Sequence, residues 1–395
     1  MALDFNASKY YSHHWTYLKK YQEFIEKNNH ICEVWVPVNT DAEILRNLGA
    51  TCFPILTSNV YGYEKQDNWF RWALDKILTL LLNKLNSISR FKESLSSFVS
   101  YFYFRKAVNR TKHLIRNGYE LHFIFPTTDS LCIRFLDFCL KNNFKITKVS
   151  LRLIGVKFKD PLRVDGVEEK LRAFVRQNTK VNFRLGYETK VYGEILRNSQ
   201  IPEANLYWTP VSYSPNRKTL KKPSDKIHLG FLGTARPNKG IDKIPEILIA
   251  LRNYKLDFIA TVQEAKFPWP EYTETIKLFN KFSENVRLLP AALSDSDFEQ
   301  EFSSIDFLVL PYNPEDYKIA GSGLLFTAAD FKIPIFATKG VGFEWDILNF
   351  SLGCTFENVN QLALQIKETL NNSQLFGFDK YNRARNLAIS DFLDI

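Results

Sequence analysis

Short apolar runs alternate with amphipathic stretches along almost the whole chain, the pattern of parallel strands joined by helical crossovers, and it leaves few folds open. In the first half, strands are expected at Ile31–Val38, Cys52–Leu56, Leu121–Phe125, Lys145–Leu153, Val181–Phe183 and Asn205–Thr209. Helices are expected at Trp15–Asn28, Trp69–Leu85, Phe91–Arg116, Ser130–Lys141, Gly166–Gln177 and Glu188–Arg197. Then Val211–Lys226, reading VSYSPNRKTLKKPSDK, breaks the pattern: it is rich in Pro, Ser and Lys and has no apolar period, as an interdomain linker does. A second series follows, with strands at Ile227–Gly233, Leu256–Thr261, Val286–Leu289, Asp306–Pro311 and Ile335–Ala337. Helices between them are expected at Ile244–Leu251, Tyr272–Phe282, Asp295–Ser303 and Gly323–Phe331, and Asn358–Ile395 reads as helical.

The expected fold is therefore α/β, with two doubly wound Rossmann-like domains facing a central cleft. Residues 1–212 form the first domain, 213–226 the linker, 227–372 the second domain, and 373–395 a terminal helix packing back toward the first. Folds of this kind take ligands at the carboxyl ends of their strands, so the cleft is the expected site.

Composition narrows the class. The 395 residues, 45% hydrophobic and 24% charged, suffice for two or three domains with cores of their own and exclude long disorder. An excess of 52 Lys and Arg over 43 Asp and Glu gives a net charge of +9, which suits an anionic partner: phosphate, nucleic acid or an acidic membrane face. Neither a C-x-x-C pair, an RRM signature nor a basic helix appears, so a nucleic-acid partner is not expected. The five cysteines, Cys32, Cys52, Cys132, Cys139 and Cys354, imply no disulfide framework. The amino terminus has no apolar core, and no stretch approaches the roughly 20 apolar residues of a spanning helix. A cytoplasmic protein is expected, with any membrane contact peripheral.

Two motifs in the second half carry chemistry. In KIHLGFLGTARPNKGID, Lys226–Asp242, a strand ends at Gly233, and Arg236 and Lys239 stand before the next helix. Two cations and a close-approach glycine after a strand suit a diphosphate; the alternative is a βα turn with solvated basic residues. In LPYNPEDYKIAGSGLLFTAADFKIPIFATKGVG, Leu310–Gly342, a buried strand runs into a long loop whose last residues, Gly321, Ser322 and Gly323, open an apolar helix. Small residues let a ligand approach the free amides there, and the Ser322 hydroxyl is a further donor; the alternative is that Ser322 simply caps the helix.

Together, in this order and separation, the two motifs resemble the donor domain of GT-B glycosyltransferases, most closely the group 1, family 4-like set, over roughly Lys226–Glu368. Gly233, Arg236, Lys239 and Gly240 match that family's strand-turn-R-x-x-K-G signature, and Gly321–Thr338 its S-G helix and following G-x-P-V-x-A-T. The resemblance implies a nucleotide-diphosphate sugar as donor. It places Gly233, Arg236, Lys239, Gly321, Ser322 and Gly323 at the diphosphate, and the backbone at Leu289 and Pro290 beside the base. One departure is marked: the family's two glutamates, eight positions apart, fall at Ile319 and Thr327. Glu315, Asp316 and Tyr317 are the candidates left for the sugar side.

Elsewhere the candidates rest on position. His13 and His14 stand at a helix start, where a neutral imidazole is favoured and can act as base or hydrogen-bond a leaving phosphate; an exposed helix start is the other reading. Asp129, after Thr127 and Thr128 at a strand end, is placed either to take the acceptor's proton or to cap the next helix. Arg152 is read either as facing phosphate or as a surface arginine. Trp69–Lys92 combines Trp69, Phe70 and Trp72 with Lys76, Lys84, Arg90 and Lys92 around an apolar face, which fits either an anionic membrane surface or a helix packed on its own domain.

The expected activity is sugar transfer from a nucleotide-diphosphate sugar to a hydroxyl of a glycan or lipid-linked acceptor, as in surface polysaccharide or glycolipid synthesis. No cofactor is expected, and with no D-x-D triad in a strand-end loop, no metal. The alternatives are a noncatalytic sugar-nucleotide or glycan-binding scaffold on the same fold, and an epimerase.

Overall fold

The computed structural model describes residues 2–3, 13–37, 45–46, 49, 52–56, 104–126, 128, 130–153, 171, 174–211, 226–372 and 375–395. The expected linker, apart from Lys226, and the whole of Trp69–Lys92 lie outside these residues.

The strands are β1 (Ala2–Leu3), β2 (Val34–Pro37), β3 (Cys52–Leu56), β4 (Leu121–Phe125), β5 (Ile146–Leu153), β6 (Asn182–Tyr187), β7 (Leu206–Trp208), β8 (Ile227–Phe231), β9 (Phe258–Gln263), β10 (Val286–Leu289), β11 (Phe307–Leu310), β12 (Ile335–Thr338) and β13 (Gly353–Phe356). They form a seven-stranded sheet ordered β3-β2-β1-β4-β5-β6-β7 and a six-stranded sheet ordered β10-β9-β8-β11-β12-β13. Both have the order of a doubly wound sheet, which reverses beside its first strand. In the second sheet β8 pairs in parallel with both β9 and β11, Leu229 lying opposite Ala260 and Phe307.

Among the described residues, β1, the helix Glu344–Asn349 and β13 were not expected from sequence. β1 is two residues long, too short for any period, yet it joins β2 and β4 at the reversal of the first sheet. The terminal helical stretch divides into Val359–Asn371 and Phe378–Leu393. The expected helix at Tyr272–Phe282 begins earlier, at Pro270, whose fixed φ suits a first helical turn, and ends in a tighter turn over Asn280–Phe282.

The chain divides into two compact units: Met1–Leu153 with Ala173–Gly186 and Leu393–Ile395, and Ile154–Arg172 with Tyr187–Phe392. In the first unit, aromatic rings interlock across β2, β4 and the adjoining helices; Phe123 stands edge-on to Trp35 at 6.2 Å and to Phe135 at 5.6 Å. Arg152 is fully buried in β5 and donates through Nη1 to the Pro126 carbonyl at 3.1 Å. It is thus no surface arginine; it ties two strand ends together.

In the second unit, helices Ile244–Asn253 and Val359–Asn371 cover the sheet with a continuous apolar core that includes Leu229, Ile247, Leu251, Ala260, Leu362 and Ile366. The helix Phe378–Leu393 is held by a fully buried ion pair, in which Arg385 Nη1 meets Asp330 Oδ1 at 2.7 Å, while Arg385 Nε donates to the Val211 carbonyl at 2.7 Å. Asp394, past the end of this helix, belongs to the first unit, and there it pairs with Lys148 and with Arg184.

Candidate functional site

In the second unit the sheet order reverses between β8 and β11, so the loops leaving their carboxyl ends diverge and open a crevice. Both chemistry-bearing motifs lie there.

After β8 the chain turns at Gly233, whose φ of +82° favours glycine and whose amide donates to Gln263 Oε1 at 2.7 Å. A Cβ on Gly233 would lie 2.9 Å from Lys239 Nζ and 3.0 Å from Leu324 Cδ1, so the ammonium and the start of helix Gly323–Phe331 meet at this bare backbone. Gln263 also donates to the Ala291 carbonyl at 3.1 Å, as does Thr234 Oγ1 at 3.0 Å, which fixes the loop after β10 beside the turn. Gly240, at φ +67°, closes the basic turn, and a Cβ there would lie 1.9 Å from the Pro311 carbonyl oxygen. The two strand-end loops are therefore locked backbone to backbone, and Asn313 N–H donates to the Asn238 carbonyl at 3.0 Å.

This packing sets the electrostatics. Arg236 is exposed; Lys239 is half-buried, and among the described residues neither forms an ion pair. Burial and the like charge of Arg236 push the Lys239 ammonium down to about 8. Lys239 lines a small recess of about 20 Å³ together with Gly233, Gln263, Pro311, Tyr312 and apolar side chains of the sheet, while Arg236 stands outside it. Tyr312 is buried, its ring 4.3 Å from that of Tyr317, and burial raises the Tyr312 phenol well above its ordinary range and that of Tyr317 above it.

Ser322 is 5% exposed and precedes the helix in extended conformation, but its side chain does not cap it; its hydroxyl faces the Tyr312 phenol instead. Gly323, the first helical residue, is exposed. A nine-residue helix whose first turn has no side-chain cap presents amide donors and the positive end of its dipole. Two cations and these donors at one switch point can accept a diphosphate.

Leu289 ends β10, and its carbonyl already accepts the Glu264 amide at 2.9 Å, while Pro290 is exposed. Glu315 and Asp316 are exposed, and the Glu315 amide bonds Asn313 Oδ1 at 3.0 Å. Ile319 and Thr327, where the resembled family has acids, bring no charge: Thr327 Oγ1 donates back to the Gly323 carbonyl at 3.1 Å. The carboxylate that does reach this loop is Glu188, which sequence reading passed over. His13 and His14 open the helix His13–Lys27, whose side chains are described only from Leu18 onward. Asp129 and Thr127 lie outside the described residues.

Sequence reading also missed Gln263, Thr234 and Tyr312, the residues that hold the cationic turn. Each sits at or just after a strand's carboxyl end, and that position is the one signal by which they could have been found.

Neither a protein-family model nor a curated protein matches the chain. Solved structures do match. A glycosyltransferase from Rickettsia africae superposes with a TM-score of 0.62 at 10% identity, covering 99% of this chain and 93% of that one. Anabaena Alr3699/HepE in complex with UDP superposes with a TM-score of 0.60 at 13% identity, over 99% and 94% of the two chains. The lipopolysaccharide outer core galactosyltransferase WaaB gives 0.57 at 11% identity, over 100% and 96%. The chain has the GT-B fold, built of two Rossmann-like domains, and its fold is like that of the group 1 glycosyltransferases.

Proposed function

We propose that the chain is a glycosyltransferase that moves a sugar from a nucleoside diphosphate sugar to an acceptor hydroxyl. The observation that carries this reading is the pairing of Arg236 and Lys239, with no carboxylate against them among the described residues, beside the uncapped helix start at Gly323. A site that holds two like charges together is suited to an anion with at least two.

As the bond from the sugar to the diphosphate breaks, charge grows on the leaving phosphate oxygens. Arg236, Lys239 and the first amides of the helix Gly323–Phe331 are already oriented toward that charge, so little reorganisation accompanies the step. Residues 227–372 bind the donor, with Leu289 and Pro290 beside the base. The residues before 213 hold the acceptor, a glycan or lipid-linked hydroxyl, with His13, His14 and Asp129 as the candidates to receive its proton. The neighbour solved with UDP and glucose favours a uridine donor. The reaction belongs to the assembly of surface polysaccharide or glycolipid, on the cytoplasmic side of a membrane.

The test is thermal unfolding against UDP, GDP and ADP at saturating concentration, since ligand binding to the folded state raises the melting temperature by mass action. A rise with one of them, abolished by Arg236→Ala, is the expected result; equal rises in both proteins would refute the site. A second reading, a noncatalytic scaffold that binds sugar nucleotides, is favoured by Ile319 and Thr327 standing in place of acids. Donor binding without turnover against any acceptor would select it.

A further inference from the structure

At the amino ends of β4 and β5, two neighbouring helix-to-strand turns are built alike. The helix at 104–116 and the helix Ser130–Lys141 each lead into a residue of positive φ, Gly118 at +81° and Asn143 at +54°. The next amide then reaches back to the helix, Tyr119 N–H to the Leu114 carbonyl at 3.2 Å and Phe144 N–H to the Cys139 carbonyl at 3.0 Å. Because β4 and β5 start in register, Leu121 opposite Ile146, the two aromatic residues occupy equivalent places at the same edge of the sheet. A residue in this place ordinarily packs on its own helix end. Phe144 is half-buried, but Tyr119 is 56% exposed.

Both rings line a cavity of about 570 Å³, together with three cations, Lys112, Arg116 and Lys145. Lys112 and Arg116 stand one turn apart on one helix face, and Lys112 Nζ reaches toward the other turn, 5.8 Å from the Phe144 ring centroid. Glu120 is the one acid among the lining residues, and among the described residues none of the three cations forms an ion pair. On the same two helices Arg110 is paired with Glu33 and Lys141 with Asp137. The negative end of the helix dipole accounts for Arg116, which is in the last turn; Lys145 lies beyond the end of its helix. All of these residues belong to the first unit.

We propose that this cavity is a second, noncatalytic glycan site, which binds a short segment of an anionic oligosaccharide bearing carboxylate, phosphate or sulfate groups. This rests on the reading of the acceptor as a glycan. The cavity lies a strand's length, on the order of 15 Å, from the carboxyl ends of β4 and β5, so it holds a part of the chain remote from the reacting hydroxyl. The C–H faces of a sugar ring carry partial positive charge and lie against the negative face of an aromatic ring. Asn143 and Thr147 line the same cavity and offer an amide and a hydroxyl to sugar hydroxyls. Three cations against one carboxylate select an acidic chain over a neutral one. Shape decides against a bilayer as the anionic partner: a recess of this volume is in the range of small-ligand sites, and a flat headgroup plane does not fill it.

The experiment is calorimetric titration of the full chain at low ionic strength with tetragalacturonate, a heparin-derived tetrasaccharide, neutral maltotetraose and UDP, with flotation on phosphatidylglycerol vesicles alongside. The proteins are wild type, Arg116→Ala/Lys145→Ala and Tyr119→Ala, all three substituted residues being exposed. Wild type binds at least one acidic tetrasaccharide and does not bind maltotetraose. The double variant weakens that binding about 10-fold, the loss of two surface ion pairs at the strong end of their range. Tyr119→Ala weakens it about 5-fold or more, as truncation of an aromatic anchor does. UDP affinity is the same in all three proteins. Absence of acidic tetrasaccharide binding in wild type, equal binding of maltotetraose, or an unchanged affinity in either variant overturns the proposal. Vesicle flotation that the double variant abolishes, without glycan binding, assigns the surface to a membrane and overturns it too. Failure of wild type to bind UDP or any other nucleoside diphosphate overturns the donor reading, while the glycan titrations still decide this site. Should the double variant fail to fold, Lys145→Gln alone is held to the same selective loss, at about 3-fold.

Discussion

Gathering like charges in a partly buried site should destabilise the fold that carries it, and Lys239 allows the cost to be measured. Its ammonium ordinarily loses a proton near 10.5, but burial and Arg236 bring that down to about 8. At about 1.4 kcal/mol per pH unit the difference is worth roughly 3 kcal/mol against the folded state, and because the side chain is only half-buried a figure near 2 kcal/mol is the working estimate. Lys239→Met removes the charge and keeps the length of the stem. It gives up a contact with Tyr312, whose ring centroid is 6.0 Å from Nζ, worth roughly 0.5 kcal/mol at that distance. The variant should therefore be more stable than wild type at pH 7, by about 3 to 6 °C in melting temperature for a unit of this size, while losing nucleoside diphosphate binding.

The pH dependence follows from proton counts. Between about pH 8 and 10.5 the unfolded lysine still holds its proton and the folded one has lost it, so wild-type stability rises with pH across that window. The advantage of Lys239→Met is complete below pH 8 and shrinks to nothing by about pH 10.5. Differential scanning calorimetry of the ligand-free proteins at pH 7 and pH 9.5 measures both. A variant less stable than wild type at pH 7, or an advantage that does not change with pH, would refute the account.

Three further outcomes are expected. Gly240→Ala places a Cβ 1.9 Å from the Pro311 carbonyl oxygen at φ +67°; left-handed strain of ~1–2 kcal/mol adds to the displacement of a neighbouring backbone, and urea unfolding should show a loss of at least about 3 kcal/mol. Arg385→Met leaves the Asp330 carboxylate buried without its cation, at a cost of about 3–5 kcal/mol by the same assay, and adding Asp330→Leu should recover most of it. Burial raises the Asp346 carboxyl from 3.8 to about 7, so the folded state keeps a proton that the unfolded state has released and wild-type stability falls as pH rises between those values. Asp346→Asn keeps an acceptor for the Tyr381 hydroxyl, and its melting curve should lack that slope; an unchanged slope would show that other groups cause it.

Much of the fold was legible because hydrophobic period is a local property. The strands at Leu121–Phe125 and Val286–Leu289 and the helix at Gly323–Phe331 were read with their observed bounds, each being an apolar run or face closed by turn residues. β1 was invisible for the opposite reason: two residues have no period, and only their pairing with β2 and β4 makes them a strand. β13 and the helix Glu344–Asn349 escaped likewise, being too short to outweigh their neighbours.

The candidate site divides in the same way. Gly233, Arg236, Lys239 and Gly240 are contiguous, and a strand-turn-helix in that order brings cations and bare backbone together whatever the rest of the chain does. Glu188 is ordinary in its local context, one acid before a helix. Only tertiary packing sets it on Gly321, a residue far away in sequence whose missing side chain makes the space. The same holds for the ammonium of Lys239, lowered by burial that no neighbouring residue in sequence announces. Period, turn chemistry and charge order are written into adjacent residues; desolvation and close approach depend on atoms that meet once the chain has folded, and those determine which of the charged groups work together.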